Sequence, residues 1–234
     1  MPHKVLTVVS SLLLVSGAVL VADHGLGTTS PDVELGAEAA PPAVGTPETG
    51  TPAEATTPPP GTPDRSGVPM QLVIPIPSSN HPDGVTAPVT ADPLLPNGDL
   101  FVPSDPGIIS WANEDAPPGA TFGTAILVGH VNYNGEVGAL SDLAEYAAEH
   151  VGATFTVGLA DGRQLTYRIT GGAQYDKDQL AAQPELRREI YDQESAFGEP
   201  PGTGRLVLVS CGGAFDNRTG NYQDNVFVFA MPVE

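Results

Sequence analysis

The sequence predicts an all-β domain, a barrel or sandwich of many short strands with few helices. Three observations point there. Between residues 68 and 234, short apolar runs recur with turn residues between them. Two of these runs, 205–211 (RLVLVSC) and 225–232 (NVFVFAMP), read as core strands. Only two stretches carry helical spacing, 139–150 (ALSDLAEYAAEH) and about 178–192 (DQLAAQPELRREIYD), the second interrupted by Pro184.

The elements follow in chain order. Residues 5–22 form an uncharged, largely apolar run, with Lys4 before it and Asp23 after it. Its length is at the short end for a membrane span. The flanking charges place the rest of the chain outside the cytoplasm. An uncleaved signal anchor over 1–22 is preferred to a cleaved signal peptide, because the run is long for a signal core. Residues 23–67 are rich in Pro, Thr, Gly, Ala and Glu and have little apolar surface to offset chain entropy. They read as a disordered, semi-extended linker that holds residues 68–234 away from a bilayer. Within 68–234, strands are expected at 71–76 and 84–90, both broken by Pro and suited to edges. Another is expected at 99–102 after the Asn97-Gly98 turn, and a buried one at 124–130 (TAILVGH). Runs 154–159 and 164–170 flank Ala160-Asp161-Gly162-Arg163, a hairpin signal.

Composition excludes several functions. The net charge is −19, which argues against binding nucleic acid phosphates or docking electrostatically on anionic lipid. A substrate carrying a free amine would be attracted. The single Cys excludes an intramolecular disulfide or a Cys-rich metal knuckle.

Cys211 is the first candidate for chemistry. It closes an apolar strand and opens a Gly-Gly turn. A lone Cys is commonly a small buried hydrophobe. An exported, unpaired thiol, however, is a liability unless it is used. Gly212 and Gly213 would let a substrate backbone approach the sulfur. His130 ends another apolar strand. It reads either as a strand-end His bonded to a loop or as the proton-transfer partner of the thiol. His81 lies in a turn, His150 ends a helix, and His3 and His24 flank the apolar run. Arg218 lies in the loop after Cys211. It reads either as surface charge or as a donor to an oxyanion, in a domain with six Arg and one Lys against twenty-one acids.

His130, Cys211 and Arg218 occur in blocks that together resemble the sortases, most closely class F (class E/F-type) enzymes of actinobacteria. The blocks are DLFVPSDPGIISWANEDAPPGATFGTAILVGHVN, the Asp-Gly hairpin and LVLVSCGGAFDNRTGNYQDNVFVFA. The resemblance spans nearly all of 68–234. Relatives often carry Asp where Asn132 stands and Arg where Gln223 stands.

The resemblance implies an eight-stranded sortase-type β-barrel with short helices. It implies an extracytoplasmic cysteine transpeptidase that cleaves an LPXTG-like sorting signal between Thr and Gly through a thioacyl enzyme. The acyl group would then pass to a cell-wall amine. Cys211 would be the nucleophile and His130 the proton carrier. Arg218 would stabilise the oxyanion, while Ser210, Gly212 and Gly213 line the substrate. No cofactor or metal is implied. The partners would be secreted proteins with a C-terminal sorting signal, a peptidoglycan-precursor amine, and the membrane through the N-terminal segment. Loop 195–204 is expected to help set the motif preference. Two other readings are a thiol protease with water as acceptor and a non-catalytic surface β-domain. A papain-like protease is disfavoured because His130 precedes Cys211.

Overall fold

The computed structural model describes residues 66–192 and 204–233. The proposed anchor over 1–22, the linker up to 65 and most of the 195–204 loop lie outside the described residues. Among those described, no helix is long and apolar enough to cross a membrane.

The described residues form ten strands and three helices in order: β1 Pro69–Ile74, β2 Val85–Asp92, β3 Ile109–Ala112, β4 Thr124–Val128, β5 Asn132–Tyr133, β6 Glu136–Val137, α1 Leu143–Glu149, β7 Thr154–Leu159, β8 Gln164–Asp176, α2 Lys177–Ala182, α3 Pro184–Asp192, β9 Arg205–Asp216 and β10 Asn221–Pro232. Eight strands close into a barrel in the order β1-β2-β3-β4-β9-β10-β8-β7, and β5-β6 is a separate two-stranded ribbon. The barrel chosen from the resemblance is therefore present. Closure removes the exposed edges that an open sheet would leave.

Alternation along each strand sorts the side chains into two cores. Leu72, Val89, Leu127, Phe155, Tyr167, Leu208 and Val228 pack inside the barrel, with Leu140, Leu143, Tyr146 and Ala147 of the α1 region joining them. Ile126, Val128, Val207, Val209, Phe227 and Phe229 point outward. Leu94, Leu100, Val102, Leu180 and Ile190 cover this outer face, so both sides of β4, β9 and β10 are apolar. That explains why their sequences read as unbroken apolar runs rather than alternating ones.

Several elements differ from the sequence expectation. Residues 99–102 form no strand. The Asn97-Gly98 turn forms, with Leu95 N–H donating to the Asp99 carbonyl at 2.8 Å. The segment beyond it, crowded with prolines that cannot donate to a ladder, lies on the outer core instead. The missing barrel strand is β3, which pairs parallel to β2. The helical pattern at 178–192 splits at Pro184, which starts α3 rather than continuing α2, since proline is tolerated in a first turn and not in an interior. The Gly-Gly expected to open a turn after Cys211 instead lies within β9, which runs on to Asp216.

Gly172 of β8 is flush against α1. A Cβ there would lie 2.3 Å from Ala147 Cβ and 2.8 Å from the Phe227 carbonyl oxygen. Gly172→Ala should force α1 off the barrel and cost about 1–3 kcal/mol. A urea denaturation midpoint equal to that of the parent would contradict this packing. Asp142, before α1, accepts from Ser78 Oγ at 2.8 Å and from the Asn80 backbone at 2.9 Å, which fastens the β1–β2 loop over the same end.

Candidate active site

The parallel pairing of β4 with β9 sets Val128 beside Val209. Gly129 N–H continues the ladder to the Val209 carbonyl at 3.0 Å. One step further, His130 follows the end of β4 and Cys211 stands at the matching level within β9. Parity then decides their direction. Ile126 and Val128 face outward, as do Val207 and Val209, so His130 and Cys211 both emerge on the outer face.

His130 is half-buried. Its Nε2 lies 2.8 Å from the Pro103 carbonyl. A carbonyl only accepts, so Nε2 carries the proton and Nδ1 is the nitrogen that gains or loses one. The ring stacks on Tyr133 at 4.9 Å. Burial, partly offset by the Pro103 carbonyl, holds His130 below its ordinary 6.5. The folded domain thus keeps His130 neutral where the unfolded chain would take up a proton. The stability this contributes is present above pH 6.5 and declines as pH falls through the lower folded value. Urea midpoints should therefore fall between pH 7 and 5 more steeply in the parent than in His130→Gln. Parallel pH profiles would contradict the shift.

Beyond Cys211, β9 carries one extra residue relative to β10, because Asp224 faces Gly212 whereas Tyr222 faces Phe215. Gly213, at φ 71°, supplies the left-handed turn of this bulge. A Cβ on Gly212 would meet Val226 Cγ2 at 2.4 Å, and one on Gly213 would meet Asp224 Oδ2. Packing against β10 is therefore a sufficient reason for both glycines. Gly213 is also exposed just past the sulfur.

Ser210 alternates inward. Only 2 % of it is exposed, and its Oγ donates to the Cys211 carbonyl at 3.1 Å. Its hydroxyl is thus turned away from the face that carries Cys211 and His130. Arg218 is placed apart from them as well. It lies in the β9–β10 turn with its side chain 87 % exposed, and its guanidinium is 3.5 Å from Asp216 Oδ2. Five residue steps along the strand separate Cys211 from Asp216, roughly 16 Å of chain. The β4–β9 register carries His130 and Cys211 to matching levels of neighbouring strands, and Arg218 lies away on the hairpin turn.

The cation beside the sulfur is one that sequence reasoning missed. Lys177 Nζ is 3.5 Å from Cys211 Sγ and donates to Asn221 Oδ1 at 3.0 Å. It reaches across β10 because of a second bulge. The register of β8 against β10 shifts between Phe229 and Ala230. Leu165, Tyr167 and Ile169 face inward before the shift, while Ala173 and Tyr175 face outward after it. Lys177, the first residue of α2, follows directly on this outward-facing run. The available signal was that Lys177 is the one lysine in a strongly acidic domain. Residues following His130 and Cys211 also meet each other. Asn132 Nδ2 donates to Tyr222 Oη at 2.5 Å, and Tyr222 packs edge-on against Phe215 at 5.1 Å.

The family model described as a sortase domain matches residues 74–233. No curated protein matches the chain. Among solved structures, the complex of Streptococcus agalactiae sortase C1 with MTSET is 15% identical. The match covers 70% of this chain and 67% of that one, with a TM-score of 0.47. The SrtA sortase from Actinomyces oris is 17% identical over 74% of this chain and 83% of that one, with a TM-score of 0.47. Sortase C1 from Streptococcus suis is 15% identical over 72% and 74%, with a TM-score of 0.48.

Proposed function

The chain belongs to the sortase family of cysteine transpeptidases, and from that premise we propose that it is a class F-type enzyme working at the outer face of the cell membrane. Its substrate is a secreted protein bearing an LPXTG-like sorting signal. Residues 1–22 anchor it, 23–67 are its stalk, and 68–234 are its catalytic domain. The Cys-Gly-Gly-X-Phe-Asp block at Cys211–Asp216 supports the class. The observation that carries the reaction is the parallel pairing of β4 with β9, which sets Val128 beside Val209, each two residues before His130 and Cys211.

The chemistry follows from those two groups. His130, neutral and protonated at Nε2, takes the thiol proton at Nδ1. The sulfur adds to the Thr carbonyl, and the π pair moves to oxygen. Collapse of this intermediate breaks the Thr–Gly bond, and the proton on Nδ1 passes to the departing Gly nitrogen. A thioester on Cys211 remains. An incoming amine from a peptidoglycan precursor attacks it, gives a proton to Nδ1 and expels the sulfur. The acidic domain draws such an amine toward the site. Arg218, exposed at the hairpin tip, is left to meet the sorting peptide at the rim, and Gly213 gives the peptide backbone room beside the sulfur.

The test is a quenched LPXTG-like peptide presented to the full chain in detergent, with and without a short oligoglycine or a diaminopimelate-type amine. Amide product that rises with amine concentration at the expense of free acid is expected. Acid alone, at every amine concentration, would make the protein a thiol protease. Absence of cleavage across a panel of sorting motifs would contradict the substrate class.

A further inference from the structure

Lys177 has an unusual set of neighbours for a lysine in an acidic protein. None of the ion pairs found among the described residues involves it. The nearby acids are committed elsewhere. Asp176 Oδ1 accepts from the backbone N–H groups of Asp178 and Gln179, capping α2. Asp224 Oδ2 accepts from Gln174 Nε2 at 2.6 Å. Lys177 instead holds the Asn221 carboxamide oxygen, which also accepts from Tyr222 N–H at 2.9 Å, and Asn221 thereby fixes where the ammonium points. That point is the sulfur of Cys211. The bulge on β8 turns the segment leading to Lys177 toward the face that carries Cys211. The guanidinium that the family resemblance nominates is held by Asp216 on the exposed turn.

We propose that Lys177, aimed by Asn221, is the catalytic cation of this enzyme, supplying beside Cys211 the positive charge that stabilises the oxyanion, in place of Arg218. The proposal rests on Cys211 being the nucleophile. As the C–S bond forms, the carbonyl π pair moves to an oxygen one bond from the attacked carbon, close to the sulfur and so close to the ammonium. When the C–N bond breaks, the pair returns to re-form the carbonyl. Lys177 keeps its protons throughout and acts by charge alone. A charge that matters only in the transition state lowers kcat when it is removed and leaves KM nearly unchanged.

Two readouts test this on the full chain in detergent. Cys211 is the single thiol, so alkylation reports on it without ambiguity. Iodoacetate carries a carboxylate and iodoacetamide does not, so the ratio of their rates measures positive charge beside the sulfur independently of any sorting peptide. Lys177→Met, which keeps the aliphatic stem, should lower that ratio several-fold. Lys177→Arg should restore most of it, and Arg218→Ala should leave it unchanged. With the peptide, Lys177→Met should lose about 10²–10³ in kcat, again with substantial rescue by Arg. Thermal melting of each variant separates loss of charge from loss of fold. An alkylation ratio in folded Lys177→Met equal to the parent's would overturn the proposal, as would a fall in the ratio in Arg218→Ala. If the parent cleaved no sorting peptide yet lost its ratio in Lys177→Met, the charge assignment would stand and the transpeptidase reading would fall.

Discussion

Cys211→Ala should abolish acyl transfer, with a loss of 10⁴-fold or more in kcat/KM, while the barrel melts as the parent does. The chain has one cysteine, so no second thiol can take over. On the described face, Cys211 is flanked by Lys177 and the His130 strand end, neither of which can replace a sulfur nucleophile at the same point. The side chain is half-buried at the edge of the outer core, so shortening it to a methyl group removes little packed surface. Cleavage of a sorting peptide by the variant at a tenth of the parent rate would exclude Cys211 as the nucleophile. A collapsed barrel would instead mean that the residue is structural.

The second large effect is expected at His130. His130→Ala should lower kcat by about 10²–10⁴-fold and leave Cys211 present for alkylation. The proton at Nε2 is fixed on the Pro103 carbonyl, so the loss should fall on the exchange at Nδ1. Added imidazole should recover part of the rate, because the vacated ring site beside Tyr133 can hold it. The parent rate should fall on acidification only below the ordinary histidine range, since burial holds His130 low. A His130→Ala enzyme within a few-fold of the parent, with a matching acid limb, would exclude the proton-carrier role.

Much of this was legible in the chain, for a physical reason. β4 and β9 are covered by apolar side chains on both faces, and such strands show as continuous hydrophobic runs whose ends are easy to find. His130 and Cys211 stand at those ends, so the pattern that marks the strands also marks the pair. The hairpin at Asp161-Gly162 was equally visible, because its turn chemistry is local. What was hidden depends on register. β3 has four residues between proline-rich segments and earns its place by parallel pairing with β2, which no local pattern encodes. Lys177 reaches the sulfur because one extra residue in β8 reverses the parity of the segment leading to it. Arg218 seemed close to Cys211 because seven positions in a presumed loop is a short path. Most of those positions run as extended strand to Asp216, which carries Arg218 away from the sulfur.

The most direct test of the central claim is intact mass of the full chain after brief exposure to an LPXTG-like peptide, followed by peptide mapping. A thioacyl adduct on Cys211, carrying the peptide up to its Thr and discharged as an amide when an oligoglycine is added, is the predicted result. An adduct on any other residue, or amide product formed without a covalent intermediate at Cys211, would contradict it.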